Sequence, residues 1–514
     1  MSADGALPAA PRAVEAAVIG AGPAGASAAV VLAEAGCDVL VIDEAPRPGG
    51  RIWCAPPPAL DGGRPSAEAA AGDSLRDPLG DRLAASRAAL LADTVVWSVG
   101  RIEGAPGGAA GGAPGGAAPE DARPRFRIDV LTPEGPVAVV ARSLLVAIGT
   151  TERVIPFPGW TTPGVVGLAA TTQLLKNQGM APGRRVAVAG AGPLLASVAA
   201  GVLETGAEVA AVADIAGPGD WLAALPALAR EPRRAARGAA RGAGWWMACL
   251  RRGVRPAFRT GVVAAEGGDR LEAVVLGPVD RAGAPVAGAP TRRVACDALA
   301  VGHGLAPATE ITRLMRARHV FDRDLGGWYP RTDHQGRTTV PGLYVAGDAA
   351  GVRGAAFATL AGAGTGLAMA RDLAAAGAPP PAPAREGPVW RAMSRLTRQR
   401  PAMSAAISPQ TVVCRCEGVT RAEIDAAVDD GAHDINQLKH FTRCGMGPCQ
   451  GRICGDVAAE LLALRLADGM ADIDAARRRV GQWTGRSPLR PVPLDAMIGA
   501  FTYDDIPVPD PAPL

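Results

Sequence analysis

The chain has 514 residues, room for roughly three domains at ~150 residues each, and its 48% hydrophobic content is ample for buried cores. A net charge of +3 over this length is close to balance, which excludes nucleic acid as an expected partner. No run approaches ~18 uninterrupted apolar residues, and residues 1–12 lack a basic start followed by an apolar stretch. Neither a transmembrane segment nor a secretory signal is therefore expected; the cytoplasm is the default compartment, with membrane association through partners as the alternative.

Residues 14–19 form a short apolar strand that runs into Gly20-Ala21-Gly22-Pro23-Ala24-Gly25 and a small-residue helix over 26–35. This is the first turn of a dinucleotide fold. Gly20 permits the tight turn, Gly22 lets backbone approach a pyrophosphate, Gly25 lets helix pack on strand, and the helix start offers free N–H groups to phosphate. The next strand, 39–42, delivers Asp43 about 20 residues after the loop, where a carboxylate accepts from a ribose hydroxyl; Glu44 is the neighbouring candidate. The following Pro46-Arg47-Pro48-Gly49-Gly50-Arg51 resembles the segment that bends around the flavin nucleotide in two-dinucleotide flavoproteins, which favours FAD over NAD.

Residues 104–118 are almost all Gly, Ala and Pro and read as a flexible loop between β elements. An apolar strand over 144–148 ends in Gly149-Thr150, similar to the strand that closes the first nucleotide domain of those flavoproteins. After it come Glu152-Arg153, Pro156-Phe157-Pro158-Gly159-Trp160 and Pro163-Gly164-Val165. Strand 185–189 then feeds Gly190-Ala191-Gly192-Pro193-Leu194-Leu195, a helix to about residue 205 and a strand before Asp214, which makes a second dinucleotide fold inserted in the first. Leu195 replaces the third glycine and holds helix and strand further apart, so the fold is expected with or without a nicotinamide nucleotide.

Arg230, Arg233, Arg234, Arg237 and Arg241 recur over a helical stretch ending near Trp245-Trp246 and read as a solvated basic face, docking on an acidic partner being the alternative. Residues 340–348 form a strand ending in Gly347-Asp348. In two-dinucleotide flavoproteins the corresponding aspartate holds the ribityl chain of FAD, and by resemblance that role transfers to Asp348, with the helix over 355–373 pointing its N-terminus at the flavin ring. Residues 376–411, rich in Pro, Ala and Arg, read as a linker.

Five of nine cysteines, Cys414, Cys416, Cys444, Cys449 and Cys454, crowd the next segment, while Cys37, Cys54, Cys249 and Cys296 lack ligand spacing and read as buried reduced thiols. Iron–sulfur irons need four soft thiolates from converging segments, and a pair separated by one residue plus a pair at a helix start can supply them; zinc is the main rival.

Residues 412–467 resemble the ferredoxin-like [2Fe–2S] domain named after bacterioferritin-associated ferredoxin. Taken with Gly20 to Asp43, Pro156 to Trp160, Gly190 to Leu195, Gly347-Asp348 and Thr442 to Arg452, the chain resembles the FAD-containing subunit family of bacterial hydrogen cyanide synthase and opine oxidase. The α subunits of proline, hydroxyproline and sarcosine dehydrogenases or oxidases are relatives. Over residues 14–495, this resemblance implies an α/β flavoprotein with two dinucleotide-binding domains, glutathione-reductase-like, carrying a small helical [2Fe–2S] domain. Its parts are an FAD-binding domain from 14–170 and 291–375, an inserted second nucleotide domain at 171–290, a linker at 376–411, the cluster domain at 412–467 and a docking segment at 468–514.

Cofactor binding is then expected at Gly20, Gly22, Pro23, Ala24, Gly25, Asp43, Glu44, Gly50, Arg51, Gly149, Gly347 and Asp348. The second fold, through Gly190, Gly192 and Asp214, offers a place for NAD, for ATP, or for FMN at a subunit interface. Relatives that carry another residue at the Cys444 position favour Cys414, Cys416, Cys449 and Cys454 as ligands; Cys444 is the alternative, because the Cys444/Cys449 pair has the same four-residue gap. The resemblance implies an oxidoreductase acting on CH–NH or CH–NH2 donors, in which a partner FAD subunit like D-amino-acid oxidase oxidises the amine or amino acid and this chain relays the electrons. His303, His319, His334, His433 and His440 read as structural; Trp245, Trp246 and Trp483 each read first as core residues, partner anchors being the alternative. The alternative function is a self-contained NAD(P)H-dependent FAD reductase that passes electrons out through the cluster.

Overall fold

Strand β1 (Arg12–Ile19) is apolar on both faces over its second half, as a strand at the centre of a parallel sheet must be. Val18 lies opposite Val41 of β2 (Val39–Ile42) on one side and opposite Leu145 of strand Gly135–Val146 on the other, all three running parallel. Strand Leu343–Val345 adds to the far side of Gly135–Val146, so the sheet is completed by chain that returns late in the sequence. Arg125–Thr132 and Val95–Ile102 continue it as an antiparallel meander. In this computed structural model the described residues are 12–54, 76–102, 125–373, 387–467 and 469–498. The Gly/Ala/Pro run at 104–118, residues 376–386 of the expected linker and the end of the expected docking segment lie outside them.

Helix α1 (Pro23–Glu34) packs on the sheet beside the return helix Ala355–Asp372. Small residues make that approach possible: a methyl added at Gly362 or Gly366 would strike the backbone of Ala24 or Ala28. Two short strands, Thr150–Glu152 and Leu305–Pro307, pair antiparallel and carry the chain out to the inserted domain and back. That domain is a five-stranded parallel sheet in which β3 (Arg185–Gly190) lies between β4 (Glu208–Asp214) and strand Ala298–Gly302, with α2 (Leu194–Glu204) following β3. A three-stranded antiparallel sheet, Thr260–Gly267 with Leu271–Pro278 and Arg292–Ala295, sits beside it.

Residues 387–411 depart from the expected linker. They form helices α3 (Pro388–Thr397) and α4 (Pro401–Ala405), each with proline in its first turn, where a missing N–H costs nothing. Proline enrichment suggests a tether, but here two of the prolines start helices. Leu396 is buried, and Ile407 joins the core of the following domain.

The last domain begins with a hairpin of Val412–Cys414 and Val419–Thr420 and continues through α5 (Arg421–Asp429), α6 (Ile435–Thr442), α7 (Gly455–Leu466) and α8 (Ile473–Val480). Reciprocal side-chain caps start two of these helices, Thr420 with Glu423 and Asp434 with Gln437. Val413, Ile424, Leu438 and Leu462 fill its core together with Ile155 from the body of the chain. Trp483 is no partner anchor: it is buried beneath the cysteine loop, where a methyl on Gly445, Gly451 or Gly455 would collide with its indole. The Pro-rich chain beyond it docks on the body, with the Leu489 N–H donating to the Trp97 carbonyl at 2.6 Å and Arg490 pairing with Glu44 at 3.2 Å. Among the described residues, no helix is long and apolar enough to cross a membrane.

Candidate cofactor and cluster site

The first glycine loop is shaped by sterics that only glycine satisfies. Gly20 takes φ +103°, and a Cβ there would stand 2.5 Å from the Ala147 carbonyl oxygen; one on Gly25 would run into the Gly20 carbonyl. Gly22 faces Gly50 at close range, a notional Cβ on it standing in van der Waals contact with the Gly50 Cα at 3.7 Å. Asp43 follows β2 and is half-buried. One of its carboxylate oxygens accepts from the Ala21 N–H and the other from the Ala45 N–H at 2.7 Å, which ties the acid to the loop; burial raises its pKa above the usual carboxylate range. Glu44 points to solvent instead and is held by Arg51 at 3.1 Å and Arg490 at 3.2 Å.

From the far end of the sequence, Gly347 packs so closely on Ala24 that an added methyl would meet its side chain at 2.6 Å. Asp348 accepts the Arg353 and Gly354 N–H groups at 2.7 and 2.8 Å, both on Oδ1, immediately before the return helix. Gly20, Gly22, Pro23, Ala24, Asp43, Glu44, Gly50, Arg51, Gly149 and Asp348 all line one cavity of about 2170 Å³; Gly25 and Gly347 form the packing behind it. An elongated dinucleotide fits the chemistry of this wall: bare backbone at the turn, a carboxylate at the second strand end, and a second carboxylate at the start of the return helix.

Sequence reasoning overlooked several of the cavity's other walls. Glu152 is mostly buried, accepts the Ala169 N–H at 2.9 Å, and is pushed up to about 7 by burial. His303, read as structural, lines the same space, and burial beside Arg153 lowers it to about 4. Cys54 also lies on the wall and is half-exposed, unlike the buried Cys37, Cys249 and Cys296. From the last domain come Arg415, Arg452 and Ile453. Arg415 is the residue between Cys414 and Cys416, and reading those two as ligands was the available signal that it would stand at a cofactor.

The second glycine loop is different. Gly190 and Gly192 do not line the cavity, and a methyl on Gly192 would collide with Thr397 at the end of α3. Asp214 is buried, 1% exposed, and caps its own turn by accepting the Ala216 N–H at 2.9 Å; burial pushes it up to about 6. The helix expected to be a tether thus covers the turn where a second pyrophosphate would approach. A salt bridge from Arg400, just beyond α3, to Asp220 of the inserted domain ties this cover down at 3.7 Å. Of the basic stretch, Arg233 and Arg237 are exposed on helix Pro232–Arg251, while Arg241 and Trp245 stand at the cavity's edge and Trp246 packs against the inserted domain's core.

All five clustered cysteines converge. The sulfur atoms of Cys414, Cys444 and Cys454 lie within 4.8 Å of one another, all three buried. Hydrogen bonds from the Cys444 and Cys454 thiols lower the Cys414 pKa to about 2. Cys416 is exposed and hydrogen-bonded with Cys449, and burial is the main cause that raises it. So dense a set of soft donors from a hairpin and a helix start suits an iron–sulfur cluster. The hairpin is anchored to the body by Trp160, whose indole N–H donates to the Val412 carbonyl at 2.6 Å.

Residues 14–365 match the model of the pyridine nucleotide-disulphide oxidoreductase family, and residues 412–463 that of the BFD-like [2Fe-2S] binding domain. The chain belongs to the pyridine nucleotide-disulphide oxidoreductase family. It is an oxidoreductase whose cofactors are FAD and a [2Fe–2S] cluster. An opine oxidase subunit from Rhizobium meliloti is 33% identical, with 93% of this chain and 97% of that protein covered. Hydrogen cyanide synthase subunit HcnB of Pseudomonas protegens is 30% identical over 93% of this chain and 96% of its own length. The fold is shared with L-proline dehydrogenase from P. horikoshii, at a TM-score of 0.63 and 19% identity, covering 95% of this chain and 80% of that one.

Proposed function

We propose that this chain relays electrons from the oxidation of an amino acid or secondary amine, of opine, proline, hydroxyproline, sarcosine or glycine type, carried out on a partner flavoprotein subunit. The carrying observation is that Arg415, between Cys414 and Cys416, lines the same cavity as Gly20, Gly22 and Asp348. The cluster segment is thus a wall of the flavin chamber. The names of the relatives, each one subunit of an enzyme, support a heteromeric assembly, and a D-amino-acid-oxidase-like FAD subunit is the partner we propose. The absence of disulfides among the nine cysteines suits a reducing compartment, and we place the protein in the cytoplasm.

The chain's own groups have binding and orienting tasks. Gly20 and Gly22 shape a turn that backbone can bring up to a pyrophosphate, Gly25 lets the helix pack behind it, Asp43 takes a ribose hydroxyl, and Asp348 is set for the ribityl chain. We assign the cluster to Cys414, Cys416, Cys449 and Cys454. FAD and the cluster supply one- and two-electron transfer when bound. Residues 14–170 with 291–375 make the flavin-binding unit, 171–290 the insertion and 412–467 the cluster unit; residues 387–411 act as cover and connection rather than as a tether.

Dye-linked dehydrogenase activity decides the matter. The isolated chain should oxidise none of these amines, and the chain co-expressed with its partner should oxidise one of them. Equal activity in the two preparations would place the substrate site on this chain.

A further inference from the structure

We infer that Cys444 is a reserve ligand: a fifth thiol built into the cluster site that takes over an iron position when Cys449 is lost. The inference rests on the assignment of the cluster to Cys414, Cys416, Cys449 and Cys454. Cys444 is fully buried, and its sulfur lies within 4.8 Å of the sulfurs of both Cys414 and Cys454, two of the assigned ligands. Cys449, the assigned ligand it would replace, is partly exposed and pairs with Cys416 on the solvent side.

The loop between Cys444 and Cys454 is built to hold that thiol inward. Arg443 ends α6 in the left-handed region at φ 62°, and its guanidinium is fixed to Glu417 at 2.9 Å, beside Cys416. The Cys444 N–H donates to the Thr442 hydroxyl at 3.1 Å, and Trp483 supports Gly445 from below. A cysteine with only a packing role has no need to sit among ligand sulfurs. In the exchange the Cys444 thiol gives its proton to solvent as its sulfur occupies the vacated position, so the number of thiolates on the cluster is unchanged.

The test uses the full-length protein, purified anaerobically, with iron, acid-labile sulfide and FAD measured on each sample. Alanine is the replacement because a serine oxygen can itself ligate. Cys444→Ala should keep full iron and an unchanged visible circular dichroism and EPR spectrum. Cys449→Ala should keep most of its iron with both spectra shifted, and the double variant should lose the cluster while retaining FAD, which shows that it folds. Loss of the cluster in Cys449→Ala with FAD retained overturns the inference, as does loss in Cys444→Ala, which would make Cys444 a resident ligand. Zinc in place of iron in the wild-type protein overturns the underlying cluster assignment, a failure readily told apart from the other two.

Discussion

Arg153 donates from Nε to Asp456 at 2.8 Å, joining the strand that leaves the flavin domain to the first turn of the helix that follows Cys454. Arg477 reaches the same carboxylate at 2.7 Å and Glu460 at 3.0 Å, and Arg323 reaches Glu460 at 2.9 Å. Glu460 is 0% and Arg477 1% exposed, so breaking this network leaves buried charge without a counterion. Glu460→Ala should cost about 3–5 kcal/mol, whereas Asp429→Ala, which removes an exposed partner of Arg465, should change stability by no more than about 1 kcal/mol. Thermal melts of the two variants check the contrast; similar melting temperatures would mean that the buried network does not hold the domains.

Flavin retention should depend on the bare backbone at Gly22. A Gly22→Val side chain would fill the space between Gly22 and Gly50, where backbone must approach the pyrophosphate. The purified variant should carry no FAD in its visible spectrum. Stoichiometric FAD would show that this loop does not hold the nucleotide.

NADH and NADPH should not bleach the flavin at rates that match turnover. Thr397 covers Gly192, and Asp214 is 1% exposed, so the second fold presents neither an open phosphate turn nor an accessible ribose acid. Stopped-flow absorbance with each nucleotide tests this, and fast bleaching would revive the reductase alternative.

Glu152 should give stability a specific pH slope. Its pKa stands at about 7 in the fold, above the ordinary 4.5, because burial outweighs the N–H groups of Leu168, Ala169 and Ala170. The folded state therefore holds this proton more tightly than the unfolded chain. That contribution is fully present below about pH 4.5 and is lost as pH rises through about 7. Glu152→Gln keeps an acceptor for the N–H groups and removes the titration, so the variant should gain on the wild type between about pH 5 and about pH 8. Parallel melting curves across that range would assign the slope to other groups.

The two glycine loops, their strands and the acids after them were legible because each is a short-range pattern with one geometric solution. Asp43 and Asp214 looked alike in sequence, each closing a strand after a glycine loop. They differ because α3 crosses the second loop, a tertiary contact that no local pattern encodes. The same helix explains why 376–411 read as a tether: Pro388 and Pro401 signal a break until their position at a helix start is known. Arg415 and Glu152 went unnoticed because their importance comes from a cavity shared by segments far apart in the chain. Trp483 could be a core residue or a surface anchor by sequence, and the three glycines above it identify it as the floor of the cysteine loop.

The flavin chamber takes walls from Gly20 near the start of the chain and from Arg415, Arg452 and Leu489 near its end. During synthesis the glycine loop and Asp43 emerge long before those later residues exist, so a nascent chain offers an open trough in place of a chamber. Arrival of the C-terminal domain closes the trough.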